Sequence, residues 1–210
     1  MTGAAPDQAA LAAYVHRWVP GSAEIALLLH GTGGNENDLL PLAGELMPGA
    51  AVLSLRGNVF EGTMPRFFRR LAEGVFDEED LALRTTQLVA FVRAAAAAYE
   101  FDLGKLTAIG FSNGANIAAN VLLRHPGLVR RAVLFRAMVP SAGAPAKTGT
   151  GARVYIGAGQ RDPIIAPPNV ERLAALLEQS GARVTLDWRI AGHGLTAEDV
   201  THARAWLATN

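Results

Sequence analysis

Residues 106–117 read LTAIGFSNGANI, an apolar run that ends at Ser112 and gives way to an alanine-rich one. Gly110-Phe111-Ser112-Asn113-Gly114 fits the pattern G-x-S-x-G. A strand that becomes a helix within one residue holds that residue in a strained conformation. Its neighbours two positions away then crowd each other, and glycine removes the clash. The serine hydroxyl is thereby lifted into the open. The next N–H, of Asn113, opens the helix and has no intrahelical partner. This is the geometry of a nucleophile with an amide donor beside it. The same pentapeptide also occurs as a plain packing turn, so the chemistry depends on what else the chain supplies.

A serine alone is a weak nucleophile and needs a base and an orienting acid. Asp162 stands in GAGQRDPII (157–165), just before Pro163. In isolation it also suits an Asx turn before a helix. His193 stands in AGHGLTAED (191–199), between Gly192 and Gly194, which let a loop carry an imidazole over a sheet edge. In isolation it also suits a surface loop. The rivals are weaker. Asp187 lies inside an expected strand, and Asp199 belongs to a helix start. His16 precedes the core, His202 is on the last helix, and His125 sits at a helix end that favours a cation. His30 is expected to brace its own loop.

That loop, HGTGGNEND (30–38), carries the remaining component. An acyl-transfer oxyanion needs two convergent N–H donors, one after the nucleophile and one from another loop. Asn113 N–H is the first and Thr32 N–H the expected second. Gly31-Thr32-Gly33 also begins a G-x-G-x-x-G nucleotide fingerprint, but position 36 is Glu, and no G-x-x-x-x-G-K-[ST] occurs.

These residues need a scaffold. Residues 23–31, 50–55, 105–111, 131–139, 152–158 and 183–190 read as strands, most of them nearly continuous apolar runs. Helices are expected at 77–99, 114–124, 168–180 and 196–208. The third opens at Pro167–Pro168 and closes at Gly181, and the last has Thr196 and Asp199 as a capping box. Alternation of this kind implies an α/β fold with a mostly parallel twisted sheet, whose active site lies at the carboxyl ends of the strands. Each candidate above follows an expected strand. No repeat or long linker appears, so residues 1–210 read as one domain. Two stretches look loop-like: 58–76, which suits a short lid-like insert, and 140–151, rich in Gly, Ser, Ala and Pro.

Composition excludes other classes. Half of the 210 residues are apolar, and 19 basic side chains balance 19 acidic ones, so nothing points to nucleic acid or an anionic membrane. The absence of cysteine removes disulfides, thiol nucleophiles and thiolate metal sites. The N-terminus does not read as a secretory signal, and no stretch reaches the length of a membrane span. A cytoplasmic protein is the expectation.

From about residue 20 onward the chain resembles the α/β-hydrolase superfamily, in which the triad follows the order Ser, Asp or Glu, His. More narrowly it is similar to the compact phospholipase/carboxylesterase group of acyl-protein thioesterases and bacterial carboxylesterases. The carrying stretches are LLHGTGGNENDLLPLA, GFSNGANIAANVLLRHP, GQRDPII and GHGLTAEDV. They are close to a bacterial subgroup described as hydroquinone-associated or copper-inducible hydrolases. The resemblance implies Ser112 as nucleophile, Asp162 as acid, His193 as base, and the Thr32 and Asn113 amides as oxyanion hole. It also implies no metal, no organic cofactor, no large cap domain, and admits a homodimer. Relatives with H-G-L-G-D carry Leu where this chain has Thr32. The amide role survives that change, whereas the weaker apolar wall points away from long acyl chains.

For the pocket, the insert offers Phe67 and Phe68 beside Arg66, Arg69 and Arg70. Phe67 is expected in an aromatic wall, and the other reading has the Phe residues of the insert plugged into the core. Most of these arginines are expected to pair with Glu73, Asp77, Glu78 or Glu79, although one of them meeting a substrate carboxylate or phosphate is the other reading. Arg136 and Met138, at the end of a strand, are expected to project towards the site, with a partner carboxylate for Arg136 equally open. Together these features predict a serine esterase for small or short-acyl carboxylic esters, thioesters included. A non-enzymatic binding protein on the same fold and an acyltransferase are the alternatives.

Overall fold

Strands without a polar face stay buried only in a sheet that is covered on both sides, and a computed structural model shows such a sheet. It describes residues 7–140 and 151–210. Along the chain the strands are β1 (His16–Val19), β2 (Ser22–Leu29), β3 (Ala50–Leu55), β4 (Val59–Glu61), β5 (Met64–Arg66), β6 (Arg70–Ala72), β7 (Val75–Phe76), β8 (Leu106–Phe111), β9 (Arg131–Phe135), β10 (Arg153–Gly159) and β11 (Arg183–Arg189). Seven of them form the central sheet in the order β1-β3-β2-β8-β9-β10-β11. Only the β1–β3 pair is antiparallel.

The helices are α1 (Gln8–Leu11), α2 (Leu40–Leu46), α3 (Glu78–Ala98), α4 (Asn113–Arg124), α5 (Pro167–Gln179) and α6 (Ala197–Thr209). Alternate residues of β2 face opposite layers, as the two-residue period of a strand requires. Ile25, Leu27 and Leu29 pack with α3, α4 and α5, while Ala26 and Leu28 pack with α2 and α6. The chain runs from β2 to β3 on one side and then crosses to β8 on the other. The strand order thus reverses beside β2, and the crevice outside the carboxyl ends of β2 and β8 is the switch point where ligands bind in such sheets.

The helix ends follow their caps. Asp77 accepts from Asp80 N–H at the start of α3, Thr196 and Asp199 form the capping box of α6, and Gly181 lies just past α5 at φ +93. One strand is shorter than expected. The run 131–139 stops at Phe135 because Arg136 takes φ +53 and turns the chain away. The 58–76 insert is two antiparallel hairpins, β4–β5 and β6–β7, not a loop. Of the loop expected at 140–151, residues 141–150 lie outside the described residues. Among the described residues no helix is long and apolar enough to cross a membrane, and no group of three His, Cys, Asp or Glu side chains could hold a metal.

Candidate active site

Ser112 joins β8 to α4 with φ +50 and ψ −114, a conformation costly for a residue with a side chain. Its N–H donates to Phe135 O at 2.9 Å, which ties the corner to β9. The flanking glycines are there for space. A Cβ on Gly110 would come within 2.6 Å of Ala115 Cα, and one on Gly114 within 2.0 Å of Leu29 O. The helix can therefore start against β2 only if these positions carry no side chain.

The corner places Ser112 Oγ 2.9 Å from His193 Nε2, and His193 Nδ1 lies 2.8 Å from Asp162 Oδ2. An ionised carboxylate only accepts, so Nδ1 carries the proton and Nε2 is left to accept from the serine hydroxyl. The second oxygen of Asp162 accepts from Ile164 N–H at 2.8 Å and Ile165 N–H at 3.1 Å. Asx turn and histidine partner are thus the same residue: one oxygen shapes the loop, the other holds the imidazole. Asp187 is engaged elsewhere, by Tyr155, Arg189 and His202 around β11.

On the opposite side, the N–H groups of Thr32 and Asn113 have no hydrogen-bond partner among the described residues. Both residues are fastened by the insert. Gly33 N–H donates to Pro65 O at 2.9 Å, Arg66 Nη1 donates to Thr32 Oγ1 at 2.6 Å, and Phe67 N–H donates to Asn113 Oδ1 at 2.7 Å. His30 braces the loop from below. Gly57 N–H donates to its Nε2 at 2.9 Å, so its Nδ1 carries the proton that faces Gly31 O. Burial pushes the His30 pKa down, against the pull of the Gly31 carbonyl and of Asp38 and Glu36.

A cleft of about 330 Å³ opens above these groups. Ser112, His193, Thr32 and Asn113 line it with Phe76, Met138, Ile164 and Ile165 as apolar wall and Arg66 and Arg70 as polar end. Met138 lines this cleft. Phe67 does not. Its ring is fully buried beneath the site, 4.9 Å from the His30 ring, and Phe76 and Phe111 are the aromatic residues in the cleft wall. Arg136 does not face substrate either. It is fully buried and paired with Asp199, because a guanidinium in an apolar strand end needs a carboxylate.

Of the insert arginines, Arg69 pairs with Asp77 as expected, whereas Arg70 pairs with Glu61. Arg66 is 3% exposed, and its nearest carboxylate, Glu61 at 3.5 Å, is already held by Arg70. Burial lowers the Arg66 pKa, with Arg70 acting in the same direction and Glu61 opposing. At the far helix end, burial and the neighbouring Arg93 and Arg124 push the His125 pKa down, so that site does not favour the expected cation. The side chains of two asparagines have roles that the sequence reading leaves open. Asn113 Oδ1 anchors the insert at Phe67, and Asn116 Oδ1 accepts from Met138 N–H at 2.9 Å, which fixes the apolar wall to α4. Their place in the first turn of α4, one and four residues after Ser112, is the available signal.

The sequence matches the dienelactone hydrolase family over residues 63–208. The chain belongs to that family. It is 44% identical over 192 residues to a Bacillus subtilis protein named as the hydrolase MhqD, covering 91% of this chain and 96% of that one. Among solved structures it is similar to the Bacillus cereus carboxylesterase, at 48% identity and TM-score 0.91 over 93% of this chain and 94% of the other. It is also similar to YahD, solved with malic acid, at 31% identity and TM-score 0.88 over 93% and 98% of the two chains. Membership places it in the α/β-hydrolase superfamily, as its sheet order and the absence of a large cap among the described residues agree.

Proposed function

We propose that the protein is a serine carboxylesterase for small or short-acyl carboxylic esters, thioesters included, with Ser112, His193 and Asp162 as its triad. The observation that carries this reading is the unbroken hydrogen-bonded line from Ser112 Oγ through His193 to Asp162, starting at a strained strand-to-helix corner. His193 Nε2 takes the hydroxyl proton as Ser112 Oγ adds to the ester carbonyl. The developing oxyanion is received by the Thr32 and Asn113 N–H groups, which no acceptor among the described residues occupies. His193 then gives the proton to the leaving alkoxide, and the acyl group stays on Ser112. Water, deprotonated by His193, repeats the addition and releases the acid. The modest volume of the cleft, about 330 Å³ with Phe76 and Met138 in its wall, supports a preference for short acyl groups.

A second feature narrows the substrate. Arg66 lines the cleft beside the nucleophile without a carboxylate of its own, and a relative is solved with malic acid, a dicarboxylate. Esters that carry a carboxylate on the acyl side fit that cation. The test of the activity is direct. Wild-type protein hydrolyses p-nitrophenyl acetate and is labelled by a fluorophosphonate at Ser112, and Ser112→Ala loses about 10³-fold or more of kcat together with the label. Activity that survives Ser112→Ala rejects the assignment. A wild-type protein that is never labelled favours a binding protein on the hydrolase fold.

A further inference from the structure

We infer that Arg136 and Asp199 are positioning residues for the base His193, an inference that rests on the triad reading above. The loop that carries His193 is bare. A Cβ on Gly194 would meet nothing within 4 Å, and one on Gly192 would come no closer than 3.9 Å to Arg161 O. Beyond the close approach of the Gly192 carbonyl to Gly159 of β10, little packs the two residues that flank the imidazole, so hydrogen bonds must supply the rest of the hold.

They come from one side chain. A guanidinium has five N–H donors in a rigid planar fork, and here every one is used. Arg136 Nε donates to Gly192 O at 2.9 Å, and Nη2 donates to Gly194 O at 2.9 Å and to Asp199 Oδ2 at 2.7 Å. Nη1 donates to Gly157 O at 3.1 Å and to Asp199 Oδ1 at 2.9 Å. Two of the three carbonyls belong to the residues on either side of His193. The third belongs to β10, the strand that leads into the Asp162 loop. A single rigid group thus sets the position of the base against the strand that carries its acid.

Asp199 completes the arrangement. It neutralises the buried cation, and its Oδ2 also accepts from Thr196 N–H and Thr196 Oγ1, both at 2.8 Å. The N-cap of α6, three residues past His193, is locked to the same point. The backbone cost of placing Arg136 there, at φ +53, is consistent with a site that is over-determined by its surroundings.

Lysine tests the idea, because a point charge with three donors can face Asp199 but cannot span two carbonyls as the planar fork does. Arg136→Lys should keep its fold and lose about ten- to a hundredfold of kcat on p-nitrophenyl acetate, the cost of a base displaced by a fraction of a bond length. KM should stay within about twofold of wild type, and fluorophosphonate labelling should slow in parallel with kcat. Leu207→Ala, on the same helix but away from the loop, serves as control: it should melt earlier and keep its kcat. Arg136→Gly suits the left-handed backbone and leaves a guanidinium-shaped hole, so millimolar guanidinium should restore part of its turnover. If that variant does not fold, Arg136→Lys carries the test alone. A wild-type kcat in Arg136→Lys, or a kcat in Leu207→Ala that falls as far as in Arg136→Lys, overturns the inference. Esterase activity that survives Ser112→Ala overturns the triad reading with it, whereas a dead Ser112→Ala beside a fully active Arg136→Lys overturns the positioning role only.

Discussion

At the scale of single residues, Asp162 shows how much one side chain can be asked to do. Its Oδ1 closes the turn through Ile164 and Ile165, and its Oδ2 holds His193. Asp162→Asn keeps an oxygen for the turn but offers an NH₂ group where the imidazole needs an acceptor. The ring then flips its tautomer, and Nε2 can no longer take the serine proton. We expect kcat on p-nitrophenyl acetate to fall about 10³–10⁴-fold with little change in melting temperature. Asp187→Asn, which disturbs only the Tyr155, Arg189 and His202 contacts, should keep kcat within a few fold. The reverse pattern would move the acid to Asp187. What the sequence could show at this scale is also visible here. Ser112, Asp162 and His193 were legible because their neighbours are glycines and prolines at strand ends, a local signal. Phe67 was misplaced because burial depends on which hairpin face meets His30, and that is a long-range fact.

At the scale of elements, the corner stands on the close approach of α4 to β2. Gly114→Ala would put a methyl group 2.0 Å from Leu29 O, and neither backbone can retreat without breaking the sheet or the helix start. Overpacking of this kind costs about 1–3 kcal/mol, and thermal unfolding should show it as a fall of several degrees in Tm. Activity should fall as well, since the Asn113 amide moves with the helix. A variant as stable as wild type would mean that the corner has slack. A second element effect depends on pH. Burial alone would raise the Asp199 pKa, but its bonds to Arg136 and Thr196 outweigh this and hold it below the ordinary value. A carboxyl depressed in the folded state adds stability above its unfolded pKa and loses it as pH falls through the folded one. Thermal melts should therefore drop below about pH 4 in wild type, and Asp199→Asn should be less stable at neutral pH with a flatter acid limb. The long elements behind these arguments were readable from apolar runs and caps. β1 and the two hairpins were not, because strands of two to four residues carry too little pattern to separate from loop.

At the scale of the whole molecule, charge decides where any preference for anionic substrates must come from. The 19 basic and 19 acidic residues cancel, so no net field steers an anion from a distance. Whatever selectivity exists is local to the cleft, where Arg66 is buried beside Ser112 and Glu61 is shared with Arg70. A carboxylate that reaches Arg66 gains a charge-assisted hydrogen bond in a partly dry site, worth about 1.5–3 kcal/mol, or about tenfold and upward in affinity. That contact is the same in ground and transition states, so it lowers KM and leaves kcat unchanged. We therefore expect the p-nitrophenyl monoester of succinic acid to show a KM about tenfold below that of p-nitrophenyl butyrate, with kcat values within a few fold. Because the pair is buried, raising salt from roughly 0.05 to 0.5 M should leave most of the difference in place. Glu73 in the cleft wall opposes the effect, so Glu73→Gln should widen the gap between the two esters while leaving the butyrate unaltered. Equal KM values for the two substrates, or a difference that salt abolishes, would remove Arg66 from substrate recognition and leave it as a splint for the Thr32 loop.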